Sequence, residues 1–380
     1  MKKAIQIGAG NIGRGFIGGL LSHAGYHVVF ADVNQQVIDK INEDGKYTIH
    51  VMDVESSEQV ITDISGVNST TPAMVDEIAE AEMITTAVGL VILPRIAPSI
   101  AQGIVKRMET GVDTYLNIIA CENAIKASSQ LKEAVYGNLS DEAKAYADKY
   151  VGFPDCSVDR IVPPVRCENP IDVVVEAYYE WNVEEASFKG EIPKIEGMNL
   201  AGNLMAYIER KLFTLNTGHC ITAYLGFLKG YETIDQSIAD EEIFTIVKSA
   251  MTESGMGLVK KHGLDKEAHL KYIDKIINRF KNPYLKDDVV RVGREPLRKL
   301  SSTDRLSKPT LTAAGYGLPV DHLLVGIAAA LHYKNDQDPQ SVELQQKVEE
   351  LGIRGVLKEV SGIEDETLLQ TIEANYSKLA

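Results

Sequence analysis

The sequence predicts an α/β fold: an N-terminal Rossmann-type, doubly wound parallel sheet followed by a mostly α-helical C-terminal domain. Three observations lead to this prediction. A strand–glycine turn–helix–strand pattern occupies roughly the first 35 residues, strand and helix signals then alternate to about residue 150, and strand signals fade after Pro193. A chain of 380 residues is long enough for two domains, which we place at residues 1–190 and 191–380.

The opening segment has the periodicity of a βαβ unit. Ala4–Ile7 is a short apolar strand, Gly8–Gly13 a glycine turn, and Arg14–Ala24 a helix that Gly25 ends. His27–Ala31 is a second buried strand. Such a unit belongs to a parallel sheet with a right-handed crossover.

Further apolar runs predict additional strands at Tyr47–Met52, Val60–Ile64, Met83–Val88 and Tyr115–Ala120. Asp172–Trp181 is β-branched and aromatic, so residues 150–190 also read as extended structure. From Leu200 to the end the pattern is helical and is divided by caps and breakers.

Composition limits the classes of function. The net charge is −15 and the pI is about 5.1, which argues against binding to nucleic acids or anionic membranes, because phosphate groups need a basic surface. The four cysteines form no CxxC pair, so neither the common zinc sites nor a disulfide scaffold is expected. No apolar run is long enough to span a bilayer. We therefore expect a cytoplasmic protein whose partner is a small molecule.

The glycine turn fits the dinucleotide-binding pattern G-x-G-x-x-G with the residues Gly8, Ala9, Gly10, Asn11, Ile12 and Gly13. In this pattern the first glycine permits a tight turn, the second lets the backbone approach a pyrophosphate, and the third lets the helix pack closely on the strand. The N–H groups at the start of the helix then face the anion. The bland alternative is an ordinary glycine turn.

Two charged residues extend this cofactor site. Asp32 ends the second strand, 19 residues after Gly13; its carboxylate can accept hydrogen bonds from a ribose 2′-hydroxyl and would repel a 2′-phosphate, which favours NAD over NADP. Arg14 is placed with the cofactor-binding residues as a contact to the pyrophosphate, although solvation on the first helical turn explains it equally well.

A second motif lies in the helical part. Oxidation of a carbinol needs a base for the hydroxyl proton and donors for the developing alkoxide. No Cys/His set has zinc-ligand spacing, so no metal is predicted, and a histidine or lysine base is favoured. On an α-helix Asn216 and His219 lie about 140° and 80° around the axis from Lys211, so the three share one broad face.

Each of these side chains suits one task. Apolar neighbours would desolvate Lys211 and make it a base near neutral pH. Asn216 would donate an amide hydrogen bond to the reacting oxygen, and His219 would orient the substrate hydroxyl or carbonyl. Alternatively, the polar face of this helix meets the other domain and His219 is a satisfied interface residue.

These residues resemble the polyol-specific long-chain dehydrogenases. The family signature Lys-x-x-x-x-Asn-x-x-His is matched by Lys211, Asn216 and His219. Further matches follow in family order over nearly the whole chain, at Gly8–Phe16, Cys121–Asn123, Val158–Ile161 and Arg291–Lys299. The resemblance implies NAD-dependent, metal-free interconversion of mannitol 1-phosphate and fructose 6-phosphate.

The resemblance also implies roles for individual residues. Lys211 carries over as the general base, and Asn123 with Asn216 as the pair that stabilises the oxyanion. The residues that carry over as substrate contacts are Asp159, His219, Arg291 and Lys299.

Two of these residues have simpler alternatives. Asn123 follows the strand Tyr115–Ala120, at the edge where open α/β sheets bind ligands, but it also suits the N-cap of a helix Ala124–Tyr136. Asp159 can accept bonds from sugar hydroxyls, or it merely pairs with Arg160.

The segment Arg291–Lys308 is locally basic on an acidic chain. Two acidic residues accompany six basic ones, Arg291, Arg294, Arg298, Lys299, Arg305 and Lys308. Arginine forks bind phosphate oxygens bidentately, so we place a phosphate monoester here and count Arg294 among its contacts. The alternative is a solvated basic face.

Two other functions stay open: a dehydrogenase of an unphosphorylated polyol or uronate, and a non-catalytic NAD-binding redox sensor.

Overall fold

The computed structural model describes residues 2–53, 56–163, 165–285 and 287–380. The chain folds as two compact units, Met1–Tyr207 and Ile208–Ala380. The first is an α/β unit and the second is mostly helical, which confirms the predicted fold class.

Twelve strands are formed within the described residues of the first unit. They are β1 Lys3–Ile7, β2 His27–Asp32, β3 Lys46–Met52, β4 Ser57–Thr62, β5 Ile64–Asn68, β6 Met83–Thr86, β7 Leu116–Ala120, β8 Val151–Gly152, β9 Cys156–Asp159, β10 Val173–Glu176, β11 Glu180–Glu184 and β12 Met198–Ala201. Six of them form the main parallel sheet in the order β5-β2-β1-β6-β7-β8. Counted along the chain, this is the Rossmann order 3-2-1-4-5-6.

The other six strands form two small sheets, β10-β3-β4 and β12-β11-β9. The apolar runs predicted as strands near Tyr47 and Val60 therefore lie outside the main sheet, where β3 and β4 pair antiparallel. The connection between β3 and β4 is too short for the crossover that parallel strands of one sheet require. The two strands therefore pair as an antiparallel hairpin.

Six α-helices accompany these strands: α1 Gly19–His23, α2 Gln35–Asp44, α3 Ala73–Glu80, α4 Leu93–Glu109, α5 Ala127–Tyr136 and α6 Asp141–Tyr150. The helix predicted over Arg14–Ala24 is composite, because Gly13–Gly18 is a π-turn that leads into α1. Short 3₁₀ turns occur at Leu90–Ile92 and Glu185–Ser187.

The main sheet is buried on both faces because consecutive residues of its strands are apolar. Ile5 and Val29 pack with the helices α3, α4 and α5, whereas Ala4, Val28 and Phe30 pack on the opposite face. That opposite face is covered by aromatic side chains of the first π-turn and the small sheets, such as Phe16, Tyr47 and Trp181. This packing fixes the carboxyl ends of the strands, where the glycine turn lies.

The helices that follow begin with α7 Leu204–Arg210, which continues through a π-turn at Lys211–Asn216 into α8 Thr217–Lys229. The remaining helices are α9 Ile234–Ala239, α10 Glu241–His262, α11 Lys266–Phe280, α12 Val289–Gly293, α13 Pro296–Leu300, α14 Ser307–Gly315, α15 Asp321–Leu331, α16 Pro339–Val356 and α17 Glu366–Leu379. The described residues of this part also form a 3₁₀ turn at Pro283–Leu285 and a third π-turn at Leu357–Ser361.

Helix α8 lies at the centre of the second unit. It packs against α9, α10, α12 and α15, and most of its residues are buried. An element enclosed in this way holds its few polar side chains in fixed positions. None of the helices in the described ranges is long and apolar enough to cross a membrane.

Candidate active site

The glycine turn has the geometry that a dinucleotide needs. Gly8 has φ +94°, and a Cβ atom there would lie 2.5 Å from the Ala87 carbonyl oxygen. A Cβ atom on Gly13 would lie 1.9 Å from the Gly8 carbonyl oxygen, whereas one on Gly10 would meet no atom within 4 Å. The first and third glycines are thus required by close packing, and the second leaves the loop open to an approaching ligand. These residues fit a pyrophosphate.

Replacing Gly13 by alanine should therefore destabilise the first unit. The new methyl group forces the loop and the π-turn apart, at a cost of about 1–3 kcal/mol for overpacking, and NAD affinity should fall with it. Gly10→Ala is the matched control, since its methyl group has room. Urea unfolding should show Gly13→Ala shifted and Gly10→Ala within about 0.5 kcal/mol of the wild type; equal stability of all three proteins would contradict the packing argument.

Asp32 lies at the end of β2 and holds the same loop. Its Oδ2 accepts a hydrogen bond from the Ala9 N–H at 2.8 Å, and its Oδ1 accepts one from the Asn34 N–H at 2.9 Å. Each carboxylate oxygen retains a second lone pair. The predicted placement of Asp32 beside the glycine turn is thus what the structure has.

Arg14 differs from both of the alternatives predicted for it, a pyrophosphate contact and a solvated side chain. It is 5% exposed, so it is not solvated, and its guanidinium bonds protein carbonyls in place of an outside anion. Nε donates to the Ile171 carbonyl at 2.8 Å, and Nη1 donates to the carbonyl of Ala9. Burial lowers the pKa of Arg14. The acceptors lie in the glycine turn and just before β10, and no local sequence pattern reveals them. Arg14 therefore stabilises the glycine turn from inside the protein.

Asn123 follows β7 and is exposed at the carboxyl end of the main sheet. Helix α5 begins only at Ala127, after Lys126 in a left-handed conformation, so the alternative role of Asn123 as N-cap of this helix is excluded. This leaves the Asn123 amide at the sheet edge where ligands bind in this class of fold.

Glu122 stabilises the same edge of the sheet, a role that the sequence does not reveal. It is buried, and its carboxylate accepts hydrogen bonds from the Thr86 hydroxyl at 2.6 Å and from the N–H groups of Val88 and Gly89 at 2.9 Å each. It thereby ties the loop after β6 to the end of β7 and fixes the position of its neighbour Asn123.

Asp159 is buried at the end of β9. The alternative pairing with Arg160 is not formed, because the Arg160 guanidinium donates to the carbonyls of Glu176 and Gly15 at 2.9–3.1 Å. Arg160 also lies over the rings of Phe16 and Tyr179, and burial lowers its pKa to about 10.

Lys211 and Asn216 are the first and last residues of a π-turn. The angular estimate for an α-helix is therefore wrong for this pair. In a π-turn the backbone hydrogen bonds join residue i to residue i+5, so residues five apart lie about one turn apart along the helix. Lys211 and Asn216 are both half-buried and share one face more closely than an α-helix would allow. Such turns occur frequently at functional sites.

Side-chain hydroxyls stabilise this π-turn. The Ser254 hydroxyl donates to the Phe213 carbonyl at 2.6 Å, and the Thr217 hydroxyl lies 3.0 Å from the Leu212 carbonyl. Thr217 Oγ1 also lies 2.7 Å from the carbonyl oxygen of Arg305. Because carbonyl groups of the π-turn have these hydroxyl groups as hydrogen-bond partners, the π-turn is a stabilised part of the structure.

Glu209 links the same helix to its surroundings. Its buried carboxylate accepts from Lys261 at 2.8 Å, His262 at 2.7 Å and Lys308 at 3.0 Å. Burial alone would raise the pKa of Glu209, but these three partners outweigh it and lower the pKa to about 2. Lys308 and the Thr217–Arg305 contact thus bring the predicted catalytic turn and the basic segment together within one unit.

His219 is paired with Asp287, a residue that lies outside the predicted motif. Its Nε2 lies 2.5 Å from Asp287 Oδ2, and its ring stacks on Phe280 with centroids 5.2 Å apart. Arg291 donates to the other oxygen of Asp287. Burial favours a raised pKa for Asp287, but the bonds and charges of His219 and Arg291 prevail and lower it. Two predicted substrate contacts are thus joined by one carboxylate.

The basic segment is largely neutralised by its own neighbours. Arg298 pairs with Glu295 at 2.8 Å and with Asp304 at 3.0 Å, and Arg305 pairs with Asp304 at 2.8 Å. Arg294 differs: it is exposed, and its guanidinium has no hydrogen-bond or ion-pair partner in the part of the chain that the structure describes.

Lys299 is predicted to contact the substrate, but the structure places its side chain inside the protein. It is 3% exposed, and its amine donates to the carbonyls of Val292, at 2.6 Å, and Arg294. Burial, with the nearby charges of Arg305 and Arg298, lowers its pKa to about 8. Lys299 therefore supports the turn between α12 and α13 on which Arg294 stands.

No group of three or more His, Cys, Asp or Glu among the described residues is arranged to hold a metal ion.

Residues 2–197 match the Rossmann domain of the mannitol dehydrogenases, and residues 203–380 match the C-terminal domain of that family. The chain belongs to the mannitol dehydrogenase family. As a member it is an oxidoreductase that acts on the CH–OH groups of polyols and uses NAD as its cofactor.

Two solved structures are similar over nearly the whole length. Mannitol 2-dehydrogenase of Pseudomonas fluorescens, in a ternary complex with NAD and D-mannitol, is 17% identical, with a TM-score of 0.71 and coverage of 100% of this chain and 92% of that chain. A D-sorbitol dehydrogenase in substrate-free form is 16% identical, with a TM-score of 0.83 and coverage of 99% and 93%. At these identities the similarity supports the fold.

Proposed function

We propose that this family member interconverts mannitol 1-phosphate and fructose 6-phosphate, with NAD as hydride acceptor or donor and without a metal. The observation that supports a phosphorylated substrate concerns Arg294. This arginine of the basic segment is exposed, and its guanidinium is not already engaged by the described residues. A phosphate monoester carries nearly two negative charges and suits a free arginine fork.

In this proposal the chain's own residues handle the proton and the oxygen. NAD, when bound at the glycine turn, supplies the acceptor for the hydride. Neutral Lys211 takes the proton from the secondary hydroxyl, and its ammonium returns one to the ketone oxygen in the reverse direction. The amides of Asn123 and Asn216 donate hydrogen bonds to the alkoxide-like oxygen.

The remaining polar residues bind the substrate chain. Asp159 and His219 contact hydroxyl groups, and Arg291, already fixed by Asp287, contributes a cationic contact. Arg294 binds the phosphate, and Lys299 acts through the turn that carries Arg294.

A second candidate is a dehydrogenase of an unphosphorylated polyol or uronate. The observation in its favour is that Arg291, Arg298, Arg305 and Lys308 each have a carboxylate partner, which removes much of the local positive charge. The two candidates differ in one measurement: NADH formation at 340 nm with mannitol 1-phosphate and with mannitol. Turnover that persists after the phosphate is removed favours the second candidate.

Arg294→Ala should raise the KM for mannitol 1-phosphate by roughly 10- to 100-fold, the loss of one charge-assisted contact, and should leave the KM for NAD nearly unchanged. Arg298→Ala is the matched control, since Arg298 is exposed on the same segment but is paired with Glu295 and Asp304. Steady-state kinetics of both variants decide the assignment. Equal substrate KM values in Arg294→Ala and the wild type would place the phosphate elsewhere.

A further inference from the structure

We infer that Asp287 is a positioning residue that fixes the tautomer of His219, so that His219 presents Nδ1 as a hydrogen-bond acceptor to a substrate hydroxyl. This inference rests on the proposed function, in which His219 contacts the polyol. It adds a residue that neither the motif nor the basic segment identifies.

The geometry assigns each atom of the group a definite partner. His219 Nε2 lies 2.5 Å from Asp287 Oδ2, and Arg291 bonds Asp287 Oδ1. Stacking on Phe280 at an interplanar angle of 14° fixes the plane of the imidazole. Nδ1 of His219 has no hydrogen-bond partner among the described residues, and the side chain keeps 18% of its surface exposed.

The direction of the hydrogen bonds follows from the chemistry of the partners. A carboxylate only accepts, so a neutral His219 must carry its proton on Nε2 and leave Nδ1 unprotonated. Nδ1 can then accept a hydrogen bond from a polyol hydroxyl but cannot donate one to a ketone. His219 is therefore arranged to recognise a hydroxyl group of the substrate.

Arg291 makes this arrangement testable with an isosteric change. In Asp287→Asn, one of the two oxygens becomes an NH₂ group. Arginine has no acceptor, so the remaining oxygen must face Arg291 and the NH₂ group must face His219. His219 then has to accept through Nε2, and its proton moves to Nδ1. The variant thus inverts the tautomer with little change of shape.

The direct test is the tautomer itself, measured from the imidazole nitrogens of ¹⁵N-histidine-labelled full-length protein by NMR near pH 9, where histidines are generally neutral. The eight histidines are resolved by comparison with His219→Gln. We expect a protonated Nε2 in the wild type, a protonated Nδ1 in Asp287→Asn, and a return to Nε2 when Arg291→Leu is added to Asp287→Asn. A protonated Nδ1 in the wild type, or no inversion in the variant, overturns the inference.

Kinetics supply a second readout that a merely structural role would not move. Asp287→Asn should raise the KM for mannitol 1-phosphate by roughly 10- to 100-fold, with the KM for NAD unchanged. Asp288→Asn is the matched control: Asp288 caps α12 through the Arg291 N–H, asparagine caps equally well, and we expect wild-type kinetics. Altered KM values for NAD and substrate alike would indicate general damage and contradict the positioning role. Absence of turnover on polyol phosphates refutes the proposed function, whereas the NMR result stands or falls independently of it.

Discussion

Replacing Lys211 by alanine should lower the turnover of mannitol 1-phosphate oxidation by about 10²- to 10⁴-fold, the usual contribution of general acid–base catalysis. In the proposed mechanism, no other group then accepts the hydroxyl proton as the hydride leaves. NAD affinity should persist, because the glycine turn belongs to the Met1–Tyr207 unit and Lys211 to the Ile208–Ala380 unit. Turnover is measured at 340 nm and NAD binding by calorimetry.

Lys229→Ala is the matched control for this experiment. Lys229 ends the same continuous helical segment, but it pairs with Asp240 and Glu242 at the surface, so its loss should leave turnover unchanged. Chelators should have no effect on the wild type. Near-wild-type turnover in a folded Lys211→Ala protein, or activity lost to EDTA and restored by zinc, would refute the lysine mechanism.

The main sheet was predictable because its signals are local. A buried strand, a glycine turn and a second strand that ends in Asp32 identify the first βαβ unit, and the alternating strand and helix signals that follow predict the doubly wound sheet. The hairpin of β3 and β4 was not predictable in its placement. Apolar alternation marks a strand but does not say which sheet it joins, and β3 pairs with β10, more than a hundred residues away in sequence.

The π-turns could not be predicted from the sequence either. Lys211–Asn216 reads as ordinary amphipathic helix, since one extra residue in a single turn barely changes the 3.6-residue periodicity. Its stabilising hydroxyl donor Ser254 comes from α10, 41 residues from Phe213. The identities of the candidate residues could be read from a motif, but their spacing around the helix axis could not.

Charged side chains were the least predictable part of the site. Arg14 and Lys299 were expected at surfaces that face an anion, yet both are buried on backbone carbonyls. Asp287 and Glu122 were overlooked, because a carboxylate becomes informative only when the fold supplies its partners, 68 residues away for Asp287 and His219. Ion pairing of the basic segment likewise depends on tertiary contacts, so net charge along the sequence overstated its free positive charge.

Replacing Asp32 by serine should change the preference of the enzyme for NAD over NADP by about 10²- to 10³-fold. If Asp32 binds the ribose as predicted, the variant loses one or two charge-assisted hydrogen bonds to the ribose hydroxyls, each worth roughly 1.5–3 kcal/mol, and it no longer repels a 2′-phosphate. The bonds from the Ala9 and Asn34 N–H groups to the Asp32 carboxylate are also lost, so NAD binding weakens further while NADP gains in relative terms. The ratio of kcat/KM values for the two cofactors measures the change.

Two further variants separate the charge of Asp32 from its support of the loop. Asp32→Asn keeps the size and one acceptor oxygen, so it should relieve the repulsion of NADP but weaken NAD less than serine does. Asp39→Ser removes an exposed carboxylate of α2 that bonds only Gln35 among the described residues, and it should leave the cofactor ratio as in the wild type. Urea unfolding verifies that each variant is folded. If folded Asp32→Ser and Asp32→Asn proteins keep the wild-type ratio, Asp32 does not contact the ribose, and the NAD preference must come from another residue of the glycine turn.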